Sequence, residues 1–260
     1  MTYVIAIANQ KGGVGKTTSA VNLAASLAHY GKKVLLIDLD PQGNASTGSG
    51  INKGSVKLGT YQVLIETADI ESAKIHSDSG NFDVLAANRS LAGAEVELVQ
   101  EIAREMRLRN AIQAVRDEYD CIIIDCPPTL TLLTINGLVA ADGLLIPMIC
   151  EYYALEGLSD LIATMRKIRQ SGLNPNLEIL GVLRTLYDSR SNLSAGVSEQ
   201  LEQHFGEYLF KTDIPRNIRL AEAPSHGMPA LAYDARAKGT EAYLALAQEI
   251  QQRIDKKVQK

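Results

Sequence analysis

Asn9–Thr18 reads NQKGGVGKTT, placed between the strand-like run MTYVIAIA (1–8) and the helical stretch TTSAVNLAASLAHYG (17–31). A phosphate-binding loop has the form G-x-x-x-x-G-K-[ST]. Gly15, Lys16 and Thr17 satisfy its end, but the position of its first Gly is Gln10, and a second lysine, Lys11, follows at once. The order strand, Gly-rich loop, helix is the context that turns the pattern into a site. Gly12, Gly13 and Gly15 let the backbone bend and bring N–H groups close to phosphate oxygens. The helix N-terminus adds free N–H groups and a positive dipole end. The expected nucleotide cradle therefore runs from Lys11 to Thr18, Val14 included. Lys16 is expected to neutralise the β- and γ-phosphates, Thr17 to ligate Mg²⁺ and Thr18 to donate to the α-phosphate.

Outward from the loop, short apolar runs alternate with helical patterns. YVIAIA (3–8), KVLLIDLD (33–40), FDVLAA (82–87), CIIIDCPP (121–128), GLLIPMI (143–149) and LEILGVL (177–183) read as buried strands. LVQEIAREMRLRNAIQAV (98–115) and LEGLSDLIATMRKIRQSG (155–172) read as helices, as does a closing stretch over roughly 240–254. Strands apolar throughout and separated by helices imply an α/β fold, doubly wound, with a mostly parallel sheet covered on both faces. No repeat or linker divides the chain, so 1–260 is read as one domain. Residues 41–60 and 186–196 are the least regular, with Gly, Ser and Asn clustered there.

Two strands end in acids. Asp125 ends CIIIDCPP before a Pro-Pro turn, where a carboxylate can hold Mg²⁺ directly or through water. In LLIDLDPQGN, Asp38 and Asp40 lie two residues apart and share a face of an extended strand. Doubly wound sheets bind ligands at the carboxyl ends of their strands. One acid of the pair is expected to organise the metal shell and the other to orient the attacking water.

KGGVGKTT, DLDPQGN and IIIDCPP together resemble the deviant Walker-A ATPases, and most closely the chromosome-partitioning ATPases of the ParA/Soj type. The resemblance continues through LLTINGL (132–138), CEYYALEGL (150–158) and IPRNIRLAEAPSHG (214–227), nearly the whole chain. It implies an Mg²⁺-dependent ATPase with ATP as fuel, an ATP-dependent homodimer, non-specific double-stranded DNA as a ligand, and a ParB-type centromere-binding protein as the stimulating partner. It implies a cytoplasmic, nucleoid-associated protein. The early lysine, here Lys11, is the family's signature and reaches the ATP of the other subunit. The physical logic agrees. Lys16 already serves its own loop, so a second cation on the outer face is expected to lack a local anion and to meet a second copy's nucleotide. The resemblance makes Lys11, Lys16 and Asp40 the catalytic candidates, with Asp40 orienting the water, and leaves Thr17, Asp38 and Asp125 as the metal candidates. Gly12 is expected to stay small because the partner's loop packs against it. The adenine pocket is drawn partly from Pro215, Arg216 and Asn217.

Relatives are separated by what lies outside the loop. A membrane-surface positioning ATPase of the MinD type needs an amphipathic tail. After Ile254 the only apolar residue is Val258, so QEIQQRIDKKVQK reads as a frayed, solvated helix end. Cys121, Cys126 and Cys150 have no metal-ligand spacing and read as reduced, packed thiols, which argues against a cluster-bearing reductase. His29, His76, His204 and His226 are scattered. The first strand begins near residue 3, which leaves no room for an N-terminal helix-turn-helix reader. No apolar run is long enough to span a membrane.

With a net charge of −4, bulk basicity advertises no nucleic acid, so DNA contacts must come from cations gathered by folding. By family position the candidates are Arg190 and Arg219, then Arg236 and Lys238. Dimerisation doubles phosphate contacts, which gives a physical reason for ATP to gate DNA binding.

Overall fold

The computed structural model describes residues 2–151 and 154–258. Seven strands form one sheet: β1 (Tyr3–Ile7), β2 (Val34–Asp38), β3 (Lys74–Ser77), β4 (Phe82–Leu85), β5 (Cys121–Asp125), β6 (Gly143–Ile149) and β7 (Glu178–Thr185). Their order is β3-β4-β2-β5-β1-β6-β7, and every pairing is parallel except that of β3 with β4. This is the doubly wound, mostly parallel α/β sheet that the apolar runs predict.

The strands are apolar throughout because both faces are covered. Val4, Ala6, Leu35, Ile37, Ile122 and Ile124 enter one core cluster, which includes Leu133, Leu138, Leu158 and Leu161 from the helices Leu132–Ala140 and Ala154–Gln170. Ile5, Ile7, Val34, Leu36 and Ile123 enter the other, with Leu23 and Leu27 of the helix Lys16–His29 and Leu246 and Ile250 of the helix Lys238–Val258. Strand alternation sends successive side chains to opposite layers, and here both layers are dry.

Register fixes the site. Ile7 and Asp38 both stand opposite Asp125, so the ends of β1, β5 and β2 lie side by side at the carboxyl edge. Neighbouring strands are about 4.8 Å apart, which forces the two aspartates together. Strand β1 sits between β5 and β6, where the winding reverses, and the Gly-rich loop leaves the sheet at that switch point.

Four local expectations are corrected. Only Arg107–Val115 of the 98–115 stretch is an α-helix; Leu98–Gln100 and Arg104–Met106 are short 3-10 turns. Between them Ala103 is left-handed (φ 54°), and Arg107 pairs with Glu101 and Glu66, which turns the chain and leaves Ile102 exposed. The edge strand β3 was not expected, because KIHS lacks an apolar run. The irregular stretch 41–60 contains the short helix Asn44–Gly48, and Asn192–Phe205, which begins inside 186–196, is a helix capped by Ser191. The last helix runs unbroken to Val258, with Lys257 paired to Glu178, so the described part of the expected frayed end is helical, while Asp255 and Lys256 are solvated as expected.

Candidate nucleotide site

The loop is braced from beneath before any ligand arrives. Asn9, buried behind it, donates from Nδ2 to Pro147 O (2.8 Å) and accepts the Lys11 N–H on Oδ1 (3.0 Å). Thr185, at the end of β7, has its hydroxyl 2.7 Å from Val14 O and 3.0 Å from Met148 O. Gly13 and Gly15 take φ of 74° and 84°, a left-handed backbone that glycine adopts without strain. Gly15 precedes the helix Lys16–His29, and no side chain caps that helix. Its first N–H groups, around Lys16, Thr17 and Thr18, therefore remain open to an anion. Lys16 is buried, its Nζ donating to Lys11 O at 3.2 Å. Burial lowers its pKa, while Asp125 and Asp40 nearby act to raise it.

The acids divide their work. Asp38 is fully buried, and both of its oxygens are occupied. Oδ2 accepts from Ser46 N and Ser46 Oγ, each at 2.8 Å, and Oδ1 accepts from Asp40 N at 3.1 Å. Burial nevertheless pushes its carboxyl up to about 6, against the pull of those donors. Asp125 is equally buried, but neither oxygen has a hydrogen-bond partner. Burial, then the charge of Asp38 beside it, push its carboxyl well above the usual range, with the Thr17 hydroxyl and Lys16 ammonium opposing them. An orphaned buried carboxylate next to a threonine hydroxyl suits a hard cation. Among the described residues no group of three or more His, Cys, Asp or Glu forms a cage. Mg²⁺ needs no such cage, since it takes one or two carboxylates and substrate phosphates. Asp40 is half-buried and accepts Gln42 N–H on Oδ1 at 2.9 Å.

Lys11 departs from expectation. Its ammonium does meet a local anion: Nζ lies 2.5 Å from Oε2 of Glu151, just beyond the end of β6. Its partner belongs to the segment that leaves the neighbouring strand β6. Beside Lys11, a Cβ built on Gly12 would have no described residue within 4 Å, so among the described residues nothing requires glycine there.

Comparison with known proteins agrees with this geometry. A family model described as an AAA domain matches residues 2–179. The sporulation initiation inhibitor protein Soj of Bacillus subtilis is 54% identical over 250 residues, covering 96% of this chain and 98% of that one. The chromosome partitioning protein ParA of Myxococcus xanthus is 49% identical over 250 residues, covering 96% and 88%. The chain belongs to the ParA/Soj family of chromosome-partitioning ATPases. A solved structure of cobyrinic acid a,c-diamide synthase from Mycobacterium smegmatis, with bound ADP and magnesium, superposes with a TM-score of 0.86 at 35% identity, covering 98% of this chain and 96% of that one. The scaffold is thus shared with a metabolic enzyme, but sequence identity is much higher to the partition ATPases.

Seen as a ParA/Soj ATPase, the remaining candidates fall into place unevenly. Pro215 bridges to Tyr187, whose N–H donates to Ile214 O at 3.0 Å; Asn217 caps the helix Ile218–Glu222 through Arg219 N, and Arg216 is exposed. Arg190 is held bidentate by Asp188, both contacts at 3.0 Å. Those bonds push the Asp188 carboxyl down to about 2. Arg219 pairs with Glu222 (2.9 Å) and Asp234 (3.2 Å), and Asp234 also accepts the Arg236 N–H. Folding therefore brings Arg219 to Asp234, two residues before Arg236 in the chain, and sets Arg190 close enough to Arg216 for both to act on Asp188. Cys121, Cys126 and Cys150 are buried and free, as packing thiols should be. Tyr152 and Tyr153 of CEYYALEGL lie outside the described residues.

Sequence reasoning missed Asn9, Ser46, Thr185 and Glu151. Each sits at or just past a strand's carboxyl end, or on the segment leaving one. The signal was position: in a doubly wound sheet any polar residue there faces the ligand side.

Proposed function

We propose that this ParA/Soj ATPase pairs in its ATP-bound form as a sandwich dimer, that the dimer binds double-stranded DNA without sequence preference, and that hydrolysis stimulated by a ParB-type centromere-binding protein dissolves it. One observation supports the reading. Lys11 is carried on the nucleotide loop with its ammonium paired to Glu151 outside the loop, beside a Gly12 that no described residue of its own subunit packs against.

Mg²⁺, when bound, would supply the positive charge that offsets the charge developing on the phosphates. Asp125 and Thr17 are the residues to hold it. Lys16 moves from Lys11 O to the phosphates. Asp38, saturated by Ser46 and Asp40 N–H, anchors the turn on which Asp40 rides. Asp40 keeps one oxygen for the attacking water, which adds to the γ-phosphorus as the bond to ADP breaks. The partner subunit's Lys11 would supply the last cation. Val14, Gly13 and Thr18 line the cradle, and Pro215, Arg216 and Asn217 close its base side.

On DNA, Arg236 and Lys238 are exposed cations with no acid partner among the described residues, whereas Arg190 and Arg219 must exchange carboxylates for phosphates. Each phosphate contact adds about 0.9 to the salt slope, so doubling the contacts by pairing separates bound from free states steeply. The MinD-type reading fits less well: the curated relatives at 54% and 49% identity are Soj and ParA partition proteins, and the last helix carries little apolar surface beyond Ile254.

The test is Gly12→Val. It should bind ATP as the parent does, stay single in solution and lose DNA retention with ATP. Strong ATP-dependent DNA binding by Gly12→Val would overturn the scheme.

A further inference from the structure

The Lys11–Glu151 pair has a consequence for how pairing is controlled. The Lys11 N–H is held by Asn9 Oδ1, and its carbonyl accepts from Lys16 Nζ until Lys16 turns to the phosphates. The Asn9 tether keeps the Lys11 backbone at the loop while its side chain can swing. Strands β1 and β6 are neighbours in the sheet, and Asn9 is tied to Pro147 of β6, so the Gly-rich loop and Glu151 leave the sheet edge side by side. The Glu151 carboxylate is the partner that single-chain geometry offers, and the two side chains are 36% and 52% exposed.

We propose that Glu151 is a positioning residue that holds the Lys11 ammonium on its own subunit, so that a second copy's triphosphate must displace it before the dimer closes. The inference rests on the reading of Lys11 given above. It adds a threshold: the dimer forms only where Mg-ATP on the facing subunit outcompetes a carboxylate already in place. ADP, with no γ-phosphate to offer, leaves the lysine parked. The pair is at the surface, where such contacts are weak. That suits a contact that must be surrendered. An exposed pair is worth at most a factor of about five, and a symmetric dimer surrenders two, so the threshold reaches up to about 25-fold in the dimer dissociation constant.

The experiment compares Asp40→Ala with Asp40→Ala/Glu151→Gln in saturating Mg-ATP, measuring the dimer dissociation constant by sedimentation velocity from low to physiological salt. ADP affinity of the two single-subunit forms is measured alongside. The expected result is a tighter dimer for the Glu151→Gln form, by about 5- to 25-fold at low salt. The gain should shrink as salt screens the pair, while ADP affinity is unchanged. Glu151→Asp, which keeps the charge, should restore most of the threshold. If Glu151→Gln leaves the dimer unchanged or weakens it, Glu151 is no latch. If ADP binding tightens in step with the dimer, the effect is a general loss of negative charge, and the inference also fails. If Asp40→Ala itself stays single in Mg-ATP, the sandwich reading falls first, an outcome distinct from the other two.

Discussion

At the scale of the residue, the site is a set of buried charges held ready for ligands. Asp125 illustrates the cost. Buried beside Asp38, its carboxylate has only the Thr17 hydroxyl and the Lys16 ammonium to favour it, and costs the fold about 1–3 kcal/mol relative to a neutral group. Asp125→Asn should therefore raise the melting temperature of the nucleotide-free protein by a few degrees while abolishing Mg²⁺-dependent hydrolysis; calorimetry and a phosphate-release assay read the two effects. Asp38 gives the pH dependence. Its carboxyl is raised to about 6 in the fold and returns to about 4 on unfolding. Between those values the folded state holds a proton that the unfolded state has lost. Stability from this group thus rises as pH falls from about 6 to about 4, and its penalty is complete above 6. Urea midpoints of the nucleotide-free protein at pH 7 and pH 5, set against Asp38→Asn, should show the variant lacking the share relieved in that window, on the order of 1 kcal/mol.

At the scale of the element, the loop, its helix and the two acidic strand ends were legible in the sequence, because glycine geometry and strand-end chemistry are local. KVLLIDLD and CIIIDCPP announce both burial and carboxyl-end acids. What could not be read was anything set by neighbours across the sheet. KIHS becomes β3 only because β4 offers an edge, and the 98–106 stretch turns because Asn136 draws it in, donating to Arg104 O (2.9 Å) and accepting Leu108 N–H (3.1 Å). Asn136 lies on the helix Leu132–Ala140, as does Gly137, where an added Cβ would come within 2.8 Å of Cys126 Sγ and 3.1 Å of Leu39 Cδ1. That contact holds the helix against the strand ends bearing Asp125 and Asp38. Gly137→Ala should cost about 1–3 kcal/mol in chemical denaturation and, by lifting the helix, slow hydrolysis as well. Thr185→Val removes the hydroxyl that braces Val14 O. It should cost about 1 kcal/mol and raise the KM for ATP more than it lowers kcat, since it loosens the cradle without touching Asp40.

At the scale of the whole molecule, the cation at the loop tip was visible from the sequence, but its carboxylate was not. Glu151 is 140 residues away in the chain and becomes adjacent only when β6 pairs with β1. The same holds for the cations read for DNA: Arg190 and Arg219 could be named from position, while their acid partners emerge only from folding. The account makes one central claim, that Lys11 completes the site of a second subunit rather than its own. Light scattering of Asp40→Ala saturated with Mg-ATP, with and without Lys11→Ala, tests it most directly. The account predicts a dimer for Asp40→Ala and a monomer of undiminished ATP affinity for the double variant; a double variant that still pairs, or an Asp40→Ala protein that stays single, would contradict it.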